Sequence, residues 1–338
     1  MKGFIYNGAG NIELKEIPLA PCGDHDIIIR NLYAGICGSD VTAYKTSGDF
    51  MRLYPGSEFG HEMVGRVVEV GKNVEGIRIG DRVFPYPVFA KDDTTRSGSV
   101  GGFSEYVHIP NCRLNHSVYK LADEISSKIG AMLEPFAVGA QAAILSQPET
   151  GQNAIVFGSG MIGMAVAITL KYLGCHKVML VNRSTYRLDI AEEMGFETCS
   201  PVHEDLREKA LEVFGEARGV MGTAFNADIF VDAAGAEDAF AAFQKYGKLN
   251  AVFTIVAMHH KNMSFNPAML LYASQRIQGS GGYTDQSVRL SMEIMCSGEF
   301  NLNRLITQEY PHEKLEEAIK KAAASSESMK VMIRYPEE

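Results

Sequence analysis

The chain has 338 residues, of which 46% are hydrophobic, so it is long and apolar enough to form two domains with separate cores. Its formal net charge of −9 argues against a nucleic-acid-binding surface, which needs a basic patch. The longest apolar stretches, such as residues 161–170, are too short to span a bilayer, and the first residues contain no apolar core that would predict a signal peptide.

The six cysteines are scattered without any C-x-x-C pair, which argues against a disulfide scaffold and favours a cytoplasmic location. They are Cys22, Cys37, Cys112, Cys175, Cys199 and Cys296. Cys37 lies in the segment A-G-I-C-G-S-D, residues 34–40, with glycines close on both sides. Without a disulfide partner, it is either a small buried hydrophobic residue or a metal ligand.

In chain order, the first third of the sequence predicts a compact β-rich domain. Its apolar runs are short, rich in valine, isoleucine and aromatic residues, and separated by glycine and aspartate, as at residues 26–34, 63–71 and 76–84. Short strands between glycine turns are typical of a partly open barrel.

Strands and helices alternate from about residue 134 onwards, which predicts a parallel sheet with crossover helices. Helices are predicted at 137–147, 185–195 and 238–247, and strands at 177–182, 228–235 and 250–258. An amphipathic helix at 311–324 and a strand at 330–335 follow. The domain joints are placed near residues 138 and 284, so that 1–138 and 284–338 form one domain and 139–283 the other.

Residues 156–163, V-F-G-S-G-M-I-G, contain glycines in the G-x-G-x-x-G spacing, with a strand before them and a helix after them. In that context the pattern predicts a dinucleotide-binding loop whose helix N-terminus faces a pyrophosphate. The predicted binding residues are Gly158, Gly160, Ile162 and Gly163. A structural turn that binds nothing is the alternative.

The strand that follows ends at Asn182, where NAD-binding proteins usually carry an acid for the ribose 2′-hydroxyl. Asparagine does not repel a 2′-phosphate, and Arg183 could pair with one, helped by Ser184 and Arg187. We therefore expect NADP(H) to be preferred over NAD(H). The alternative is that Arg183 is solvated and that Asn182 serves NAD through its amide.

Four residues of the β-rich part and of its joint suit a catalytic zinc site, which needs three protein ligands and one open position. They are Cys37, His61, Glu62 and Glu134. Each has an ordinary alternative, since His61 could be a core histidine, Glu62 a solvated acid and Glu134 an acid favoured by a helix N-terminus. Beside a nicotinamide domain the set favours a metal, because removal of hydride from an alcohol requires an acidified hydroxyl.

Several segments resemble those of the zinc-dependent medium-chain alcohol dehydrogenases, in particular the polyol, sorbitol-like branch. They are G-I-C-G-S-D, G-H-E-M-V-G, I-G-D-R-V, G-G-F-S-E-Y-V and E-P-F-A-V-G-A-Q-A, and the resemblance covers nearly the whole chain. It implies an α/β protein with a β-rich GroES-like catalytic domain and a doubly wound Rossmann cofactor domain.

The resemblance also implies roles for single residues. Cys37 and His61 are zinc ligands, and Glu62 or Glu134 completes the set, with exchange between them during turnover. Asp40 orients His61, and Ser39 takes the proton of the alcohol. The glycines beside Cys37 let the chain turn tightly next to the metal.

The chain departs from the family at three places. No cysteine lies between Asp81 and Tyr106, where relatives hold a structural zinc, so one zinc per chain is expected. Thr42 stands where the family's relay histidine is found, and threonine cannot act as a base, which disfavours a threonine dehydrogenase. Residues 279–284 lack an arginine that polyol members often have, so sorbitol is not implied as the substrate. His259 and His260 follow a sheet strand and are expected to be a solvated loop pair, with a position at the nicotinamide end of the cofactor as the alternative.

The sequence thus predicts reversible, zinc-dependent hydride transfer between a secondary, polyol-like alcohol and NAD(P), with the ketone as the other partner. The alternatives are a zinc-free quinone or enoyl reductase of the same architecture and a non-catalytic dinucleotide-binding protein, and the metal residues argue against both. We expect a small-molecule substrate, no nucleic acid or membrane partner, and a homo-oligomer, dimer or tetramer.

Overall fold

A computed structural model describes residues 1–220, 222–259, 262–324 and 326–336. Its strands are β1 (Lys2–Gly8), β2 (Asn11–Glu16), β3 (Ile27–Gly35), β4 (Ser57–Glu58), β5 (Glu62–Val70), β6 (Arg82–Pro85), β7 (Tyr106–Ile109), β8 (Val118–Lys120), β9 (Ala154–Phe157), β10 (Val178–Val181), β11 (Glu197–Cys199), β12 (Glu216–Gly219), β13 (Gly222–Phe225), β14 (Ile229–Asp232), β15 (Val252–Ile255), β16 (Arg276–Gly279), β17 (Ile306–Pro311) and β18 (Lys330–Arg334). The helices are α1 (Gly38–Lys45), α2 (Ser127–Gly130), α3 (Leu133–Ser146), α4 (Met161–Tyr172), α5 (Thr185–Glu193), α6 (Leu206–Phe214), α7 (Glu237–Tyr246), α8 (Pro267–Ala273), α9 (Asp285–Ser297) and α10 (Leu315–Ala322).

The chain divides into two compact units. The first contains Met1–Glu134 and Leu302–Glu338, and the second contains Pro135–Asn301. The second division therefore lies after α9, later than the joint expected near residue 284, because α9 contacts α4 of the second unit.

The first unit is built on a seven-stranded sheet in the order β17-β18-β3-β5-β6-β8, with β7 paired to β3. β3 is central because its residues 27–29, all isoleucine, are fully buried, and it pairs antiparallel with β5, β7 and β18. Residues that are distant in the sequence therefore meet at the end of β3, where Gly35 lies opposite both Glu62 and Met332.

The second unit contains a six-stranded parallel sheet in the order β11-β10-β9-β14-β15-β16. Strands β9, β10 and β14 are buried along their whole length, as expected for a parallel sheet covered by helices. The strand order reverses direction between β9 and β14, and the carboxyl ends of strands at such a point form the usual ligand crevice of open α/β sheets.

The loop from β9 to α4 brings two backbone segments into close contact. Gly158 has a φ of +99°, in the left-handed region that glycine adopts without strain. A Cβ atom on Gly163 would overlap the carbonyl oxygen of Gly158, so only glycine fits there. The glycines of this loop therefore meet local steric requirements that the structure shows directly.

None of the helices in the described part of the chain is long and apolar enough to cross a membrane.

Replacing Gly163 by alanine should displace the loop, because the new Cβ has no room beside the Gly158 carbonyl. We expect a loss of about 1–3 kcal/mol in the free energy of unfolding, measured by urea denaturation, and weaker dinucleotide binding. Gly281→Ala is the matched control, since no atom lies within 4 Å of its Cβ position. Equal stabilities of the two variants would contradict this account.

Candidate metal centre and dinucleotide groove

Cys37, His61 and Glu62 come together because β3 and β5 are antiparallel neighbours. Cys37 lies two residues beyond the end of β3 and precedes α1, and Glu62 begins β5. The register places Gly35 opposite Glu62, so the residues that end one strand and begin the other are adjacent. Their potential ligand atoms, one from each residue, all lie within 4.8 Å of one another.

Several polar atoms of this cluster are buried and lack a hydrogen-bond partner. They include His61 Nδ1, Glu62 Oε1 and Asp40 Oδ1. Buried polar groups are normally hydrogen-bonded, so unsatisfied ones require an explanation such as an ion. A thiolate, an imidazole and a carboxylate are a donor set that suits zinc. The residues present therefore fit the metal that the sequence predicts.

Asp40 lies where it can act on His61. It is fully buried, it accepts a hydrogen bond from the Cys37 backbone N–H at 2.9 Å, and its Oδ1 lies 3.8 Å from His61 Nδ1. Burial raises the pKa of Asp40 to about 6. Burial alone would lower the pKa of His61, but the carboxylate of Asp40 and the Cys37 side chain raise it well above its usual value.

Glu134 lies close to this cluster, in the first turn of α3. Burial, together with the neighbouring Glu62 carboxylate, raises the pKa of Glu134 to about 7 against the opposing effect of His61. Within the described residues, the group whose ligand atoms all lie within 4.8 Å contains Glu62 and does not include Glu134.

Lys330, at the start of β18, is a member of this site that the sequence reasoning missed. Its side chain is 3% exposed, its Nζ donates to the Ile36 carbonyl oxygen at 3.1 Å, and it forms an ion pair with Glu62 Oε2. Burial opposes the charge of Lys330, but the Glu62 carboxylate outweighs it and raises the pKa of the amine. The only sequence signal was a lysine at the start of an apolar strand, 268 residues from Glu62.

Gly35 and Gly38, the glycines beside Cys37, were expected to permit a tight turn of the chain. The structure gives a different explanation for the glycine at position 35. Neither Gly35 nor Gly38 has a positive φ, so no unusual turn requires them. A Cβ atom on Gly35 would overlap the Glu62 carboxylate, whereas Gly38 has open space. Gly35 is therefore needed for the close approach of the Glu62 side chain.

Ser39 and Thr42 lie on α1. The hydroxyl of Ser39 is buried and has no hydrogen-bond partner. The hydroxyl of Thr42 donates to the Gly38 carbonyl at 2.9 Å, a bond within the helix. Ser39 is therefore the one of the two whose hydroxyl has unused hydrogen-bonding capacity.

The segment between Asp81 and Tyr106 is held without cysteine. Arg96 donates to the Ser57 hydroxyl at 2.6 Å and lies over the ring of Tyr54, and Ser104 donates to Glu58 at 2.5 Å. Hydrogen bonds and a cation–π contact thus fix the region in which relatives were expected to hold a structural zinc.

In the second unit, a groove of about 620 Å³ lies at the carboxyl ends of β9, β10 and β14. Its lining includes Gly158, Asn182, Arg183, Asp238 and His259. The remaining five predicted cofactor residues lie in or beside the loops that follow β9 and β10. They are Gly160, Ile162 and Gly163 at the start of α4, and Ser184 and Arg187 at the start of α5.

Asn182 and Arg183 line this groove, and Arg187 lies beside its glycine loop. Asn182 donates to the Ser159 hydroxyl at 2.7 Å and accepts from the Arg183 backbone N–H at 2.8 Å. The Arg187 guanidinium lies 3.3 Å from the Cβ position of Gly160, and burial lowers its pKa. A largely buried cation thus lies beside the loop that is predicted to bind phosphate.

The expectation of a solvated histidine pair is wrong for His259. Its side chain is 14% exposed, and its Nε2 lies 2.6 Å from the buried carboxylate of Asp232. The other oxygen of Asp232 accepts from the backbone N–H groups of Ala234 and Gly235, both at 2.9 Å. His260 lies outside the described residues.

Comparisons with known proteins agree with this architecture. The family models of the alcohol dehydrogenase GroES-like domain and of the zinc-binding dehydrogenase match residues 23–121 and 162–296. The chain is 27% identical to the (R,R)-butanediol dehydrogenase of Bacillus subtilis over 99% of both chains. It is 26% identical to the L-threonine 3-dehydrogenase of Pectobacterium atrosepticum, over 96% of this chain and 91% of that protein.

A solved structure leads to the same family. The crystal structure of 2R,3R-butanediol dehydrogenase from Bacillus subtilis superimposes with a TM-score of 0.86 and 26% identity, over 99% of both chains. The chain belongs to the zinc-dependent medium-chain alcohol dehydrogenase family and is an NAD(P)-dependent oxidoreductase of that class. The predicted fold class, a β-rich GroES-like domain with a doubly wound Rossmann domain, is confirmed.

Lys330→Met should destabilise the protein strongly, because it leaves the Glu62 carboxylate buried without its cation. Removing one partner of a buried pair typically costs about 3–5 kcal/mol, and urea denaturation measures it. The double variant Glu62→Gln/Lys330→Met should recover most of this loss. The control is Lys72→Met in the exposed Lys72–Asp24 pair, which should cost at most about 1 kcal/mol. If Lys330→Met also lowered the free energy of unfolding by at most about 1 kcal/mol, Lys330 would not be the partner that stabilises the buried Glu62 carboxylate.

Proposed function

We propose that Cys37, His61 and Glu62 hold a single catalytic zinc and that Glu134 is an alternative ligand for it. The observation that carries this proposal is the cluster of Cys37, His61 and Glu62, whose potential ligand atoms lie within 4.8 Å of one another and in which the buried Glu62 Oε1 has no hydrogen-bond partner. Bound there, zinc supplies a Lewis acid that lowers the pKa of an alcohol hydroxyl.

The residues around the proposed ligands have separate tasks. Asp40 holds His61 from the side of Nδ1 and favours its orientation towards the metal. Lys330 fixes the Glu62 carboxylate by an ion pair and thus limits how far it can move. Ser39, whose hydroxyl has no hydrogen-bond partner among the described residues, accepts a hydrogen bond from the substrate hydroxyl and relays its proton, releasing its own hydroxyl proton to water so that it stays neutral.

We propose further that the substrate is a secondary alcohol of the polyol type, oxidised reversibly to its ketone. The support is the relatedness to enzymes named for butanediol and threonine. Zinc-free reductases of this architecture do not need a thiol, an imidazole and a carboxylate whose ligand atoms lie within 4.8 Å of one another, so the cluster argues against that alternative. The cytoplasmic location and the homo-oligomer stay predictions.

NADP(H) is proposed as the preferred cofactor. Asn182 ends β10, and its side-chain oxygen accepts from the Arg183 backbone N–H, which fixes the start of the loop that carries the guanidinium. Arg183 is exposed on the groove, where it can reach a 2′-phosphate, and no acid replaces Asn182 to bind the ribose of NAD.

Cys37→Ser should lower the zinc content from one ion per chain to a small fraction, because a hydroxyl is a poor zinc ligand. Activity should fall by more than the roughly 10–100-fold that loss of a ligand's hydrogen-bond partner causes. Elemental analysis and turnover with a panel of polyols and ketones measure both. Cys296→Ser, at an exposed cysteine, is the control and should change neither. Full zinc loading of Cys37→Ser would rule out this site, and two zinc ions per parent chain would contradict the expectation of a single zinc.

Arg183→Ala should reduce kcat/KM for NADP(H) about tenfold to a hundredfold, since a charge-assisted phosphate contact contributes about 1.5–3 kcal/mol. The value for NAD(H) should change little. Arg218→Ala, at an exposed arginine in the β12–β13 hairpin of the same unit, is the control. If the parent enzyme uses NAD(H) better, the interpretation of Asn182 and Arg183 is wrong.

A further inference from the structure

An acidic side chain lies directly opposite the arginine that we assign to the 2′-phosphate. Asp238 Oδ2 is 3.4 Å from Arg183 Nη2, and both side chains line the dinucleotide groove. Asp238 is 82% exposed and Arg183 77% exposed, so the pair is accessible to a ligand in the groove.

The position of Asp238 is set by buried interactions. It is the second residue of α7, which begins shortly after the turn that Asp232 holds through the backbone N–H groups of Ala234 and Gly235. That turn also packs on the glycine loop, since a Cβ atom on Gly158 would lie 3.0 Å from the Ala233 carbonyl. The Asp238 carboxylate is therefore presented to the groove from a fixed helix end.

Arg183 is fixed at its backbone and extended at its tip. Its N–H donates to the Asn182 side chain, whose amide donates to Ser159 in the glycine loop. The guanidinium at the end of the long side chain is exposed, so it can bind either the Asp238 carboxylate or a phosphate in the groove.

We infer that Asp238 is a specificity-determining residue that competes with the 2′-phosphate of NADP(H) for the guanidinium of Arg183. The phosphate has to displace the carboxylate to bind, and the carboxylate repels the dianion at the same time. NAD(H), which has a hydroxyl at that position, does not disturb the pair. Asp238 therefore weakens the preference for NADP(H) and keeps the groove usable by both cofactors. This inference rests on the proposed contact between Arg183 and the 2′-phosphate.

The expected effect is moderate because the pair is exposed to solvent. An exposed ion pair changes an equilibrium constant by a factor of about 1.5–5. Repulsion between the Asp238 carboxylate and the phosphate dianion increases this factor to roughly ten. Salt should reduce the effect in part, since the charges are exposed but lie 3.4 Å apart, within the Debye length of about 8–10 Å at 0.1–0.15 M ionic strength. A gain of about three- to tenfold in NADPH affinity is thus expected when the carboxylate is removed.

Isothermal titration of the full-length, zinc-loaded protein tests this without relying on turnover. The ligands are NADPH, NADH, adenosine 2′,5′-diphosphate and ADP, and the variants are Asp238→Asn, Arg183→Ala and the double variant. Asp189→Asn, at an exposed acid on α5, is the matched charge control. Asp238→Asn should lower the Kd of NADPH and of adenosine 2′,5′-diphosphate about three- to tenfold, with less than twofold change for NADH, ADP and the control.

The double variant separates competition from simple repulsion. If Asp238 competes for Arg183, the gain from Asp238→Asn should shrink to about twofold in the Arg183→Ala background, the part that direct repulsion of the dianion contributes. An unchanged gain there, or no gain in the single variant, would overturn the inference even if Arg183→Ala weakens NADPH binding as proposed. If Arg183→Ala leaves NADPH binding unchanged, the proposed cofactor contact itself fails, and the inference fails with it.

Discussion

The first unit depends on the antiparallel pairing that sets Gly35 of β3 opposite Glu62 of β5. Because Gly35 has no side chain, the Glu62 carboxylate can lie over the strand, where Lys330 from the neighbouring β18 reaches it. A carboxylate at this depth without its ammonium partner would be strongly destabilising. The pairing of three strands therefore determines where the acid of the proposed metal site is held.

The second unit uses a buried carboxylate in a comparable way. Asp232, at the end of β14, holds the turn that leads into α7 through one oxygen and His259 through the other. This arrangement shapes one side of the dinucleotide groove, and the loop with Gly158 packs against it. In both units, a charged group at the end of a strand is stabilised by partners from other loops, and those partners lie next to a proposed ligand site.

The two proposed sites differ in how strongly electrostatic forces act. Asp40, His61, Glu62 and Lys330 are buried, so their charges are poorly screened and a change at one affects the others. Arg183 and Asp238 are mostly exposed, and water and salt weaken their attraction. Substitutions of Arg183 or Asp238 can thus alter cofactor selection at little cost to folding, whereas substitutions around the cluster alter stability and metal binding together.

Patterns among residues that are close in the sequence predicted the glycine loop, the parallel sheet and the segments that form the proposed metal site. The G-x-G-x-x-G spacing between a strand and a helix predicted a dinucleotide-binding loop, and the structure shows that this loop has no room for a side chain at Gly163. Alternation of apolar strands and amphipathic helices predicted the parallel sheet of the second unit, and the segments around Cys37 and His61 predicted the cluster that the structure brings together. Each of these depends on residues that are neighbours in the chain.

Only the tertiary structure decided which distant side chains stabilise these sites. In the sequence, Lys330 is an ordinary lysine at the start of a strand. The pairing of β18 with β3 brings its side chain to Glu62. The sequence around His259 predicts a solvated loop residue, but in the structure its ring is hydrogen-bonded to Asp232 at the end of β14. Gly35 seemed to serve a turn, but the space that it leaves is filled by a residue from β5. Such contacts depend on strand register and on burial, and neither follows from the residues on either side in the sequence.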